Sequence, residues 1–144
     1  MTVNPWILNK TVLPQNTDYF GVMWHGSYIN WFEEARIEAL SKAGIKYCDL
    51  SSMGYEMPVV DLKISFRAPL KNGDKAILKS WLLKKQHAKL PWRTIVFDSK
   101  DNICVEAHVN IVLVKKLGGN MKLIKKTPDF INKAIIILQN GHLH

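Results

Sequence analysis

Between Asn16 and Tyr28 the chain sets a carboxylate, Asp18, ahead of Gly21 and His25, with the start of a helical pattern just beyond. A carboxylate serves as a general base or as a nucleophile. A helix N-terminus carries N–H groups with no partner in the helix, and such donors stabilise negative charge developing on an oxygen. Side by side, the two suit acyl transfer. An aspartate in a turn more commonly fastens the loop through its own backbone, as an Asx-turn. The surrounding residues must therefore decide between the two roles.

Other chemistries have less support. Ser27 does not stand in a G-x-S-x-G elbow, which speaks against a serine hydrolase. Cys48 and Cys104 have no base near them in sequence and read as free, inert thiols. The histidines His25, His87, His108, His142 and His144 form no metal-ligand spacing, and there is no phosphate-binding glycine loop. No metal and no cofactor is expected. Trp31, Trp81 and Trp92 read as core or interface residues rather than platforms for nucleic-acid bases.

The elements that must hold these residues follow from hydrophobic periodicity. Trp6 to Leu13 reads as a strand. Ser27 to Ala43 reads as a helix, with Tyr28, Trp31, Phe32, Ala35, Ala39, Leu40 and Ala43 on one apolar face, Ser27 as N-cap and Gly44 as the stop. Tyr47 to Gly54 is then a short linker. The period changes to two over Val60–Phe66, and further strands are expected over Ala76–Lys85, Trp92–Asp98 and Ile103–Lys115. Lys71-Asn72-Gly73-Asp74 is a turn, Leu117-Gly118-Gly119-Asn120 breaks the chain, and Pro128 opens a closing helix to about Leu138. One long helix with several strands predicts an α+β domain, an antiparallel sheet covering the helix.

The length of 144 residues suits a single domain spanning the chain, one able to bury roughly 70% of its unfolded surface without disulfides. No leader peptide and no bilayer-spanning stretch is apparent, so a soluble, cytoplasmic protein is expected. The net charge of +8 favours an anionic partner: nucleic acid, a phosphorylated cofactor such as coenzyme A, or an acidic carrier protein. Surface solubility alone would also account for it. Lys84, Lys85, His87, Lys89 and Arg93 cluster between two strands and are the candidates for holding phosphates; a solvated turn is the alternative.

Asp18-x-x-Gly21-Val22-x-Trp24-His25-x-x-Tyr28 followed by Glu33-x-Ala35-Arg36 resembles the signature of the 4-hydroxybenzoyl-CoA thioesterase family, including its YbgC-like members. Pro58-Val59-Val60, Phe66-Arg67-Ala68-Pro69-Leu70 and Gly73-Asp74 extend the likeness, which covers about residues 7–116. The later stretch also resembles the plastid acyl-lipid thioesterases. The resemblance implies the hot-dog fold, a curled five-stranded antiparallel sheet around one long helix, in the order first, third, fourth, fifth, second. Asn72-Gly73 would then join strands that are not neighbours, although residue type alone suggests a hairpin. It implies an acyl-CoA thioesterase, or an acyl carrier protein thioesterase, acting as a homodimer or homotetramer with active sites near the subunit boundary. Asp18 would be base or nucleophile, and the His25 amide would polarise the thioester carbonyl. Gly21, Trp24, Tyr28, Lys84, Lys85 and Arg93 would contact substrate. Glu33 is the reserve catalytic carboxylate, an ion pair with Arg36 being its structural alternative. Asn16 and Trp24 depart from the acidic residue and tyrosine of many relatives. A non-catalytic acyl-CoA-binding module, a dehydratase and a nucleic-acid-binding domain are the other readings; no nucleic-acid recognition motif supports the last.

Overall fold

A computed structural model describes residues 3–142. Its elements run β1 (Trp6–Thr11), a short 3₁₀ turn (Pro14–Asn16), α1 (His25–Lys42), α2 (Tyr47–Ser52), β2 (Tyr55–Glu56), β3 (Val59–Phe66), β4 (Lys75–Leu82), β5 (Lys89–Asp98), β6 (Ile103–Val112), β7 (Val114–Leu117), β8 (Asn120–Leu123) and α3 (Asp129–Asn140). The main sheet is antiparallel with five strands in the order β1-β4-β5-β6-β3. Leaving aside the two-residue β2, this is the order first, third, fourth, fifth, second. The Asn72-Gly73 turn accordingly carries the chain from one edge strand, β3, to β4 beside the other edge.

All seven residues of the expected apolar helix face are buried. Phe32, at 1% exposed, lies among the largest fully enclosed side chains; burying such a ring contributes about 2–3 kcal/mol. The sheet meets α1 with its inner residues Leu78, Leu82, Trp92, Val96, Val105, Ala107 and Val109. Two hydroxyls on that face, Ser80 and Thr94, satisfy each other at 2.9 Å. α3 also packs on this core, burying Ile131, Ala134, Ile135 and Leu138, and the Trp6 indole N–H donates to the Leu138 carbonyl at 2.9 Å.

α1 stops where Gly44 takes φ +107°. The Gly44 N–H donates to the Ser41 carbonyl and the Ile45 N–H to the Leu40 carbonyl, both at 3.1 Å. That is a complete Schellman closure, which favours glycine because the residue must be left-handed.

Four local expectations change. α1 begins at His25, before Ser27, so Ser27 is inside the first turn rather than the N-cap. The stretch after Gly44 is a helix, α2, where a linker was expected. The long last strand divides after Val112, and its continuation β7 pairs with β2 and β8 in a separate three-stranded sheet. Gly118-Gly119 does not break the chain but turns a hairpin, with Leu117 opposite Asn120.

Candidate active site at the start of the long helix

The loop between β1 and α1 is built around Asn16 and Asp18. The Asn16 side chain accepts from the Leu13 N–H at 2.9 Å and closes the 3₁₀ turn. Its carbonyl accepts from the Trp24 N–H and from the Ser27 hydroxyl, each at 2.9 Å. Ser27 thus straps the first turn of α1 to the loop. Thr17 bridges Met23, and the Asp18 N–H donates to the Val22 carbonyl at 2.8 Å, so residues 17–23 form a small hairpin. Gly21, at φ +78°, supplies the left-handed residue of its tip, which non-glycine residues adopt at a cost. The Met23 N–H donates to Leu70 at 2.7 Å and the Asn72 N–H to Gly21 at 3.2 Å, fixing the hairpin against the β3–β4 connection.

Asp18 is exposed. Its Oδ1 accepts from the Phe20 N–H at 2.9 Å and from the Val22 N–H at 3.3 Å, an Asx-turn that shapes the hairpin. Its Oδ2 meets no donor among the described residues and is available to a substrate or a water. Tyr19 and Phe20 stand out beside it, 97% and 86% exposed, ring against ring at 5.7 Å.

Trp24 caps α1 without a side-chain hydrogen bond. Among the described residues no group accepts from the backbone N–H of His25 or of Gly26. These are the orphan donors of a helix N-terminus, carrying the positive end of its dipole. The Trp24 indole lies on the α-carbon of Gly26; a β-carbon there would collide with the ring. The His25 imidazole is exposed and its ring lies 4.9 Å from that of Trp24.

The other candidates fall in different surroundings. Tyr28 is 2% exposed, packed against Trp31, Phe32 and Phe66, and burial, with the nearby Cys104, pushes its phenol up to about 12. It is a core residue of this chain. Arg93 lies on the outer sheet face, where it donates twice to Glu106, at 2.9 and 3.1 Å, while Arg67 holds the other Glu106 oxygen at 3.0 Å. Those arginines hold the Glu106 carboxyl below its ordinary range. Lys85 donates to the Thr127 hydroxyl at 3.1 Å, and Lys89 pairs with Asp61 at 3.0 Å. Lys84 has no ion-pair partner among the described residues. Lys85, Lys89 and Arg93 of the basic cluster read from the sequence thus each have a separate partner within the chain. Glu34 pairs with Lys10 of β1 at 3.0 Å, while Glu33 is exposed and makes no ion pair with Arg36.

A separate cavity of about 230 Å³ lies between α1, α2, α3 and the sheet. Leu40, Leu90, Trp92, Ile111 and Leu138 form apolar walls, and Glu33, Arg36 and Tyr47 supply its polar groups. Asp18 and His25 do not line it. The sequence reading did not single out Arg36 as a site residue, yet a signal was present. Tyr28, Phe32, Arg36 and Leu40 form one i+4 row, so an arginine interrupts the stripe that turns inward.

Comparison with known proteins places this geometry. Residues 20–105 match the family model described as Thioesterase superfamily, more than half of the chain. The chain belongs to the thioesterase superfamily. It is a thioester hydrolase with the hot-dog fold. A Synechocystis sp. protein that carries the word esterase in its name is 31% identical over 129 residues, 89% of this chain and 76% of that protein. The crystal structure of the DHNA-CoA thioesterase from Staphylococcus aureus superposes with a TM-score of 0.81 at 25% identity, covering 91% of this chain and 89% of that one. The chloroplastic acyl-acyl carrier protein thioesterase ATL3 of Arabidopsis thaliana is 28% identical over 80 residues, 56% of this chain and 42% of that protein. The names of these relatives differ in both acyl group and carrier. Among the described residues no helix is long and apolar enough to cross a membrane, and no cluster of metal-ligating side chains occurs.

Proposed function

We propose that the chain hydrolyses acyl-CoA thioesters as a 4-hydroxybenzoyl-CoA thioesterase-like, YbgC-like enzyme of the cytoplasm. The observation that carries the reading is the pair of unclaimed amides at His25 and Gly26, presented on the same short loop as an aspartate with one free oxygen. The thioester carbonyl oxygen accepts from the His25 N–H. One well-placed donor of this kind is worth roughly 3–4 kcal/mol in the transition state. Asp18 Oδ2 then takes a proton from water as the water oxygen bonds to the carbonyl carbon, or attacks that carbon itself to give an anhydride that water opens. The carbon–sulfur bond breaks in either route, and the products are the free acid and the protonated thiol. A thioester is already activated, so the scheme calls on no metal or redox group.

The acyl group lies against Gly21 and Trp24, and Lys84 and Lys85 face the phosphates of coenzyme A or an acidic carrier. Tyr28 supports that surface from beneath through Phe66. The exposed Tyr19 and Phe20, and the exposed Val59, Val60, Leu62 and Phe66 of the edge strand β3, form apolar surface of the kind that a second copy covers. A homodimer, or a homotetramer built from it, would enclose Asp18 at the subunit boundary. The plastid relative keeps an acyl carrier protein thioester as the alternative substrate.

Thiol release measured over short, long and aromatic acyl-CoAs, with carrier-protein thioesters alongside, tests the reaction. Asp18→Asn is expected to lower the rate about a thousandfold. An undiminished rate in Asp18→Asn and Asp18→Ala would refute the role of Asp18. The Asx-turn made by Oδ1 favours a second reading, in which the site binds acyl-CoA without turnover. Recovery of intact thioester after long incubation with the whole panel would establish it.

A further inference from the structure

The cavity behind α1 contains a cation that makes no hydrogen bond or close ion pair among the described residues. Arg36 lines it, part-buried, and among the described residues no hydrogen-bond acceptor or ion-pair partner meets its guanidinium. The neighbouring surface is aliphatic and aromatic: Ile37, Leu40, Leu90, Trp92, Ile135 and Leu138. Burial pulls Arg36 below the ordinary guanidinium value, partly countered by Glu33 and Tyr47. It remains a cation at neutral pH, because guanidinium does not deprotonate in proteins. No guanidinium nitrogen of Arg36 is both buried and unsatisfied, so it keeps contact with solvent against these apolar walls. A ligand oxygen brought to this point takes the place of that water.

The cavity lies in line with the candidate active site. At 1.5 Å per residue, Arg36 is about 16 Å along α1 from His25. β3 comes close to the helix at the two ends of that length. The Phe66 ring meets Tyr28 at 5.8 Å near the helix start, and Val59 at the other end of the strand lines the cavity. Leu62 and Ile64 lie between them on the face that Phe66 turns to the helix. A chain of saturated carbons covers about 16 Å in roughly thirteen bonds, taking about 1.2 Å per bond from the extended backbone. The cavity holds about seven or eight heavy atoms at about 30 Å³ each.

We infer, resting on the thioesterase reading above, that this cavity receives the far end of the acyl group and that Arg36 donates there to a neutral oxygen, a hydroxyl or a carbonyl. The substrate class is thus an acyl-CoA of medium length oxygenated far from the thioester, rather than a plain hydrocarbon acyl. A neutral oxygen suits the site better than a carboxylate because Glu33, one turn earlier on α1, already supplies a negative charge beside Arg36.

The experiment compares acyl-CoAs of about twelve carbons that differ only at the far end: methyl, hydroxyl or carboxylate. The expected result is a kcat/KM at least about tenfold higher for the hydroxyl than for the methyl substrate, with that ratio falling to about one in Arg36→Met and partly kept in Arg36→Lys. Equal or better turnover of the methyl substrate, with a ratio unmoved by Arg36→Met, overturns the inference while leaving the thioesterase reading intact. Preference for the carboxylate overturns the assignment of a neutral oxygen. Should no substrate release thiol, binding of the free acids still decides the cavity. The hydroxy acid is then expected to change the fluorescence of Trp92 at lower concentration than the plain acid, a signal removed by Trp92→Phe. Equal affinity for the two acids, or weaker binding of the hydroxy acid, overturns it.

Discussion

The two ends of α1 are made of different material. At its N-terminus the groups available for chemistry are backbone amides and one loop carboxylate, all reachable by solvent, and the scaffold around them is a set of main-chain hydrogen bonds among Asn16, Asp18, Val22 and Leu70. Around Arg36 the groups are side chains, mostly apolar and enclosed by three helices and a sheet. Donors supplied by the main chain do not change with sequence and suit the invariant part of a reaction, the polarised carbonyl. A wall of side chains can be altered one residue at a time and suits choice among acyl groups. The relatives fit this division: a CoA thioesterase and a carrier-protein thioesterase both resemble this chain while their names specify different substrates.

The division can be broken from either end. The largest effect is expected at the loop. Asp18→Asn should cost about a thousandfold in rate on every acyl-CoA while shifting the melting temperature little, because the Asn oxygen can keep the Asx-turn. A loss confined to some acyl groups would place Asp18 in specificity instead. Next comes the cavity wall. Leu138→Ala removes a residue 3% exposed and should cost about 2–5 kcal/mol of stability by denaturant unfolding. A change below about 1 kcal/mol would mean that the wall collapses freely and is a poor filter. Ser27→Ala should cost about 1 kcal/mol, since it loses the bond to the Asn16 carbonyl, and should lower the rate as the loop loosens from the helix.

The smallest effect lies on the outer sheet face, away from both ends. The native Glu106 carboxyl is held low chiefly by hydrogen bonds from Arg93. A depressed native value stabilises the fold fully above the ordinary glutamate value of 4.5, and the benefit fades as pH falls through the native one. Glu106→Gln should therefore cost a few tenths of a kcal/mol near neutrality and flatten that acid dependence. Melting curves between pH 7 and the acid limb read both.

Much of the frame was legible because it rests on periodicity. The stripe from Tyr28 to Ala43 and the alternation in β3 and β6 report a buried helix face and a sheet, whatever the tertiary detail. The strand order came from family resemblance; residue type alone suggested a hairpin at Asn72-Gly73. Local competition hid the rest. Trp24 is a poor cap by residue type, so Ser27 looked like the helix start; the actual start is fixed by the hairpin of residues 17–23. Gly118-Gly119 is equally a break or a hairpin turn, and only pairing of β7 with β8 decides. Asp18, His25, Gly21 and Trp24 come together in one loop, as their spacing suggested. Of the basic residues, Lys85 and Arg93 are engaged separately, by Thr127 and by Glu106, the second because alternation along β5 sends Arg93 to the outer face. The cavity was hidden because its lining comes from elements distant in sequence.

The two sulfhydryls have opposite circumstances. Cys104 is wholly enclosed in β6, and burial raises its thiol above the ordinary value, so little thiolate forms and no reagent reaches it. Cys48 is exposed on α2, adjacent in sequence to Tyr47 of the cavity wall. Alkylation of the folded protein should therefore stop at one adduct, giving a spectroscopic label beside the acyl-selecting end without any engineered cysteine.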